Sequence, residues 1–276
     1  MFNPYLAVII TTIIWGLSGV FIKYLGLPPT TIAFFRVFIP AIILYPYFKL
    51  KKINIFRDSL RLIFLVSFIE AVSFLFYFIS YENTSIANAV TILYTWPIFA
   101  VIFSFIFLKE KLPKQNIFAL VIAFIGVVAV YAGNNISFSD KDFIGISSML
   151  ISAALTGIPI IIFKKLSATH SKYEMIFYHN FIGAIAFMPF LFINRPLPTA
   201  MQASVAVLYA LLIGLLAYIP FYYGLKHLKA STVSLLSYLE VVTGILFGVL
   251  LLHESLSINV IIGGILIIIS TLLIRR

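Results

Sequence analysis

The sequence contains no cysteine, which excludes disulfides, thiolate metal sites and cysteine nucleophiles while leaving the compartment open. Charge is scarce too. Only 10% of the 276 residues are charged, whereas an ordinary soluble domain is about a quarter charged. No phosphate-binding glycine loop, His-Glu-x-x-His zinc pair or Gly-x-Ser-x-Gly elbow occurs. ATP hydrolysis and the common hydrolase chemistries therefore have no visible carrier, and no enzyme, metal site or cofactor is expected. An intramembrane enzyme would also want clustered acids and histidines. A channel would want a repeated ring of charge or carbonyls, which two unlike halves do not offer. The net charge of +10 does not predict nucleic-acid binding, because the bases fall in short links and form no continuous stripe.

What is abundant is apolar surface: 62% of the chain is hydrophobic and the mean hydropathy is +1.12. A helix crossing a hydrocarbon core of about 30 Å needs about 20 mostly apolar residues. Ten segments qualify, at 4–25, 30–50, 59–81, 86–108, 115–133, 143–164, 173–193, 203–224, 230–252 and 257–274. They predict an all-α membrane protein of ten transmembrane spans, with the lipid bilayer as its first partner. Links are short, with turn or cap signals at Leu27-Pro-Pro-Thr-Thr31, Asn134-Asn135, Ser139-Asp140 and Arg195-Pro-Leu-Pro198. The helix bundle must then carry the function. Met1-Phe-Asn-Pro lacks a basic stretch and leads into an apolar block followed by another span, which predicts a first span and not a cleaved signal.

Cytoplasmic links carry the excess of Lys and Arg. With the N-terminus inside, fifteen bases fall on the inner side, from Lys49, Lys51, Lys52, Arg57 and Arg61 to Arg275 and Arg276, against Lys23, Lys141 and Arg195 outside. This predicts a multi-pass protein of the cell inner (cytoplasmic) membrane with both termini cytoplasmic.

The fourth span repeats. Ser85-Ile-Ala-Asn-Ala-Val-Thr-Ile-Leu-Tyr-Thr-Trp-Pro97, running on to Lys109-Glu-Lys-Leu112, returns 144 residues later as Lys229-Ala-Ser-Thr-Val-Ser-Leu-Leu-Ser-Tyr-Leu-Glu-Val241, running on to His253-Glu-Ser-Leu256. Tyr94 falls on Tyr238 and Glu110 on Glu254. Trp15–Lys23 likewise aligns with Thr156–Lys164, and Arg36 with His179. Five spans per copy is odd, so the second copy starts from the opposite side of the membrane. The chain is expected to consist of two inverted repeats, 1–135 and 136–276, enclosing a central cavity that opens alternately to either side.

These residues resemble the drug/metabolite transporter superfamily in its EamA branch: Trp15-Gly16, Arg36, Ser85-Ile-Ala-Asn-Ala with Trp96-Pro97 and Leu108-Lys-Glu110-Lys-Leu112, then Ala230-Ser231, Leu239-Glu240 and Leu252-His-Glu254-Ser-Leu256. One departure is that the family's second copy often reads Glu-Pro where this chain has Glu240-Val241. If that proline bends the ninth helix, any proline hinge here is confined to Pro97. The resemblance implies a cavity lined chiefly by spans 1, 3, 4, 6, 8 and 9, with 5 and 10 peripheral. It also implies substrates such as amino acids and other small metabolites, often exported.

Charges within a bilayer cost several kcal/mol, which marks them as candidates for binding substrate or ions. Arg36, Glu70, His179 and Glu240 lie well inside predicted spans and could serve proton coupling or structure. Glu70 shares a helical face with Ser73, Phe74, Tyr77 and Tyr81, a candidate cavity wall. It could bind an ammonium group or take up a proton, or be held by neighbouring hydroxyls or by Arg36. Trp96 in span 4 takes the place of Glu240 in span 9, and an aromatic wall opposite a carboxylate suits a substrate with a cationic end. Trp15, Tyr77, Asn88, Tyr94, Tyr218 and Tyr238 complete the expected substrate contacts. Pro40, Pro159, Pro189 and Pro220 could free carbonyls or bend helices, and Gly126, Gly263 and Gly264 are expected at helix contacts. The function expected is secondary transport of an amino acid or related amphipathic metabolite, outward, coupled to a proton or counter-substrate, with a homodimer allowed. The alternative is uptake of a cationic or nucleotide-like metabolite.

Overall fold

The computed structural model describes residues 2–54, 60–131, 140–193 and 197–274. The turn signals at Asn134-Asn135 and Ser139, the charges Arg57, Arg195, Arg275 and Arg276, and the boundary expected at 135/136 lie outside the described residues. Among the described residues all regular structure is helical. Nine helices are long and apolar enough to cross a membrane: Pro4–Leu25, Pro29–Leu50, Phe64–Asn83, Asn88–Leu108, Lys114–Tyr131, Lys141–Leu166, Lys172–Ile193, Ala200–His227 and Ala230–Leu252. A shorter apolar helix, Ile258–Leu272, is the tenth. They are numbered here as spans 1 to 10. Polar caps start them where the sequence signals a turn. The Asn3 side chain accepts from the Tyr5 N–H ahead of Pro4, and Thr199 and Gln202 form a reciprocal capping box. The outward faces carry Leu50, Phe143 and Ile258, 83%, 72% and 67% exposed. Such faces belong in lipid, the solvent of a multi-pass membrane protein.

Packing follows a two-fold pattern. Span 3 lies on span 6 and span 1 on span 8; span 4 lies on span 6 and span 1 on span 9; spans 2 and 7, 5 and 10, and 4 and 9 pack as pairs. Moving the spans of these pairs five places along the chain returns the same pairs. Spans 5 and 10 meet at bare backbone, since a Cβ on Gly126 would lie 2.8 Å from the Gly263 carbonyl oxygen. Gly264 is not a helix contact as expected, because a Cβ there would meet nothing within 4 Å.

The 144-residue spacing recurs in backbone detail. Lys109 and His253 both end their spans in the left-handed region, with φ of 53° and 55°. Both following N–H groups reach back over that turn, Glu110 to the Ser104 carbonyl at 3.3 Å and Glu254 to the Gly248 carbonyl at 3.1 Å.

Spans 1, 4 and 9 are interrupted: Pro4–Gly16 then Ser18–Leu25, Ile86–Leu93 then Trp96–Leu108, and Ala230–Leu236 then Leu239–Leu252. The break in span 4 is the one Pro97 leads us to expect, because proline has no N–H for the carbonyl a turn earlier. The ninth span breaks at the equivalent place without a proline, so a break there does not depend on one. There the N–H groups of Glu240 and Val241 bond three residues back, to Ser237 and Tyr238 at 3.0 and 3.1 Å, tightening the turn. Spans 2, 6 and 7 run through Pro40, Pro159 and Pro189 as continuous helices. Span 8 contains a π-helical segment, Ala210–Leu216. Span 1 braces this wide turn: Thr11 Oγ1 donates to the Ala217 carbonyl at 3.0 Å and the Trp15 indole N–H to that of Ile213 at 3.4 Å.

Candidate functional site

A cavity of about 370 Å³ lies between the two halves. Its walls come from spans 1 to 4 and 6 to 9, and among the described residues spans 5 and 10 contribute nothing to it. Spans 2 and 7, absent from the implied lining, supply Arg36, His179, Gly183 and Phe187. These two spans pack against each other and line the cavity together. The face at which span 1 begins is called here the terminal face and its opposite the far face. The cavity reaches Ile22, at the far end of span 1 and 44% exposed, and is floored towards the terminal face by Phe163 and Tyr222, 2% and 1% exposed.

Trp15, Glu70, Tyr77, Tyr94, Trp96, Tyr218 and Glu240 all line this space, as do Arg36 and His179. The Arg36 guanidinium donates to the Tyr218 hydroxyl at 2.9 Å and lies within electrostatic reach of both Glu70 and Glu240. Among the described residues Glu70 is held neither by hydroxyls nor in an ion pair with Arg36. Its Oε1 lies 2.8 Å from His179 Nδ1, an ion pair when the imidazole is protonated, though the approach is off the line of a hydrogen bond. His179 also leans on the Tyr218 ring at 4.7 Å between centroids, and Trp15 meets the same ring edge-on at 5.3 Å. Tyr218, on span 8, is thus the point on which Trp15 of span 1, Arg36 of span 2 and His179 of span 7 converge.

Two expected contacts are elsewhere. Asn88 donates to Thr84 Oγ1 at 3.0 Å, and Thr84 in turn donates to Asp142 at 2.7 Å. It belongs to a polar cluster that ties the start of span 4 to span 6, because an amide one turn into a helix reaches its cap more readily than the cavity. Tyr238 is fully buried and its hydroxyl donates to the Tyr94 carbonyl at 2.9 Å, so it locks span 9 to span 4 and is not among the cavity-lining residues.

Sequence reasoning missed Tyr209, Phe221, Tyr222 and Phe163 on the aromatic lining, and the hydroxyl cluster at its edge. In that cluster Ser73 Oγ donates to the Ser152 carbonyl at 2.9 Å, Ser152 Oγ returns the bond to the Ser73 carbonyl at 2.9 Å, and Thr156 Oγ1 stands 3.0 Å from Ser73 Oγ. Ser73 was visible as a neighbour of Glu70 on one helical face. Its partners on span 6 carry no signal in the sequence.

Chemically, the site offers two carboxylates, one guanidinium and one imidazole in a chamber walled largely by aromatic rings. That arrangement brings charged and apolar surface together, and among the described residues that line it no nucleophile and base are aligned on each other for bond making.

Comparison with known proteins agrees with the fold. A Bacillus subtilis protein named as an uncharacterized transporter, YoaV, is 27% identical over 97% of this chain and 94% of its own. The pseudopaline exporter CntI of Pseudomonas aeruginosa is 22% identical over 91% of this chain and 87% of its own. A solved crystal structure shares the fold, with a TM-score of 0.87 at 16% identity, covering 98% of this chain and 95% of that one. The model of the EamA-like transporter family matches residues 3–132 and again 143–276. The chain belongs to the EamA-like transporter family.

Proposed function

We propose that this transporter moves an amino acid or closely related zwitterionic metabolite outward across the cytoplasmic membrane by alternating access between two inverted repeats. The observation that carries the substrate class is the placement of Arg36 within electrostatic reach of both Glu70 and Glu240 beside Trp15 and Tyr218. A guanidinium suits a carboxylate end, a carboxylate with aromatic faces suits an ammonium end, and the apolar wall suits a side chain. The cavity volume of about 370 Å³ fits a molecule of that size. The two-fold pattern of span packing supports the reading of 1–135 and 136–276 as inverted copies, and the excess of Lys and Arg on the terminal face supports placing that face in the cytoplasm. A relative named as an exporter favours the outward direction.

Counter-flow in proteoliposomes tests this reading. Vesicles loaded with one unlabelled compound from a panel of amino acids, polyamines, choline-like cations and nucleotides should accumulate its labelled form for at least one zwitterion, and Glu240→Gln should abolish that exchange. Exchange restricted to the nucleotides, or to cations without a carboxylate, would overturn the substrate class.

A further inference from the structure

The two ends of the bundle are built from equivalent residues that make different contacts. On the terminal face Glu110 grips the start of span 9: Oε1 accepts the Ala230 N–H at 2.7 Å, and Oε2 accepts the Ser231 N–H at 3.1 Å and the Ser231 hydroxyl at 2.6 Å. Beside it, Lys164 at the end of span 6 grips the end of span 8. Its Nζ donates to the carbonyls of Leu225, Lys226 and Leu228 at 2.7, 3.1 and 2.6 Å. Both contacts set a charge against the helix end it complements, an acid at first-turn N–H groups and a base at last-turn carbonyls, neither of which has an intrahelical partner. They tie the first half of the chain to the second half, and one segment of the second half to another, on the face where the cavity is floored.

The counterparts on the far face are fixed by the repeat. Glu254 stands for Glu110 and Lys23 for Lys164. The helix ends they would grip are the N–H groups of Ile86 and Ala87, which correspond to Ala230 and Ser231, and the carbonyls of Tyr81, Glu82 and Thr84, which correspond to Leu225, Lys226 and Leu228. The helix that ends there is closed in the same way, with Thr84 N–H on the Ser80 carbonyl at 3.0 Å as Leu228 N–H is on the Gly224 carbonyl at 2.8 Å. Yet Glu254 and Lys23 hold each other at 3.1 Å, with side chains 52% and 60% exposed, on the face towards which the cavity reaches Ile22.

We infer that these four side chains position two alternating gates. In the opposite conformation Glu254 grips Ile86 and Ala87, Lys23 grips the span 3 carbonyls, and Glu110 and Lys164 let go of their helix ends and hold each other. The inference rests on the alternating-access reading above and adds the contacts that distinguish its two states. Glu110 and Lys164 stand on the same face, within electrostatic reach of each other. Each gate then trades charge-assisted bonds at helix ends for a solvated ion pair while the other gate does the reverse, which keeps the two states close in free energy.

A chain without cysteine allows a direct test with single reporters in the full-length protein in proteoliposomes. Ser234→Cys places a thiol in the half of span 9 that Glu110 holds, at a fully buried site, and Ile22→Cys places one at the far mouth. Adding Glu110→Ala should raise labelling of Ser234→Cys by a membrane-impermeant maleimide about tenfold or more, the effect of losing one charge-assisted hydrogen bond on a two-state balance. Glu254→Ala should lower the same labelling by a similar factor while labelling of Ile22→Cys holds or rises. Since the Glu254 pair is exposed, that variant folds even where Glu110→Ala does not, and its arm alone decides. Labelling of Ser234→Cys unmoved by Glu254→Ala overturns the gate assignment. The reporters need no substrate, so gates that shift as stated alongside a silent counter-flow panel would overturn the substrate class alone.

Discussion

The phenol of Tyr238 donates to the main-chain carbonyl of Tyr94 at 2.9 Å, so the break in span 4 is closed by the residue that stands in its own place in span 9. The acceptor is available because the Ile98 N–H, which a continuous helix would give to Tyr94, goes to Thr95 at 2.9 Å. Tyr238→Phe keeps the buried ring and removes the donor. Leaving one buried carbonyl unpaired costs about 1–3 kcal/mol. We expect a melting temperature in detergent lower by several degrees with the substrate concentration for half-maximal exchange unchanged. A large rise in that concentration would return Tyr238 to the cavity wall.

Glu70 and His179 meet at 2.8 Å across spans 3 and 7, and a contact shared by two residues can be lost only once. Glu70→Gln and His179→Gln should each lower counter-flow by about tenfold or more, on the scale of a buried charged contact. The double variant should be no slower than the slower single one. Additive losses would assign the two side chains separate tasks.

His253 sits at φ 55° without being glycine. A side chain in the left-handed region costs about 1 kcal/mol that glycine does not. His253→Gly should therefore raise the melting temperature by a few degrees, read by thermal denaturation in the same detergent. A fall would mean that the imidazole makes a stabilising contact outweighing its backbone cost.

The spans were legible because bilayer thickness sets their length, and the repeat because Tyr94, Leu108, Glu110 and Leu112 return at one fixed spacing. Intramembrane charge led to Arg36, Glu70, His179 and Glu240, since each is too costly to place at random. Partners were harder. Nothing local ties Glu70 to His179, on helices that become neighbours only through the tertiary fold, and spacing along span 3 could not choose between His179 and Arg36. Asn88 and Tyr238 were misplaced for the same reason. Helical spacing says which side chains share a face, but the turn before Asn88 and the break beside Tyr238 decide what that face meets.

The π segment Ala210–Leu216 sets the phase of the rest of span 8. A π turn accommodates one residue more than an α turn and so rotates every side chain beyond it about the helix axis. Beyond it stand Tyr218, Phe221 and Tyr222, three rings of the cavity wall. Thr11 and Trp15 bond the carbonyls of Ala217 and Ile213, so the phase in which span 8 shows those rings to the cavity is held from span 1.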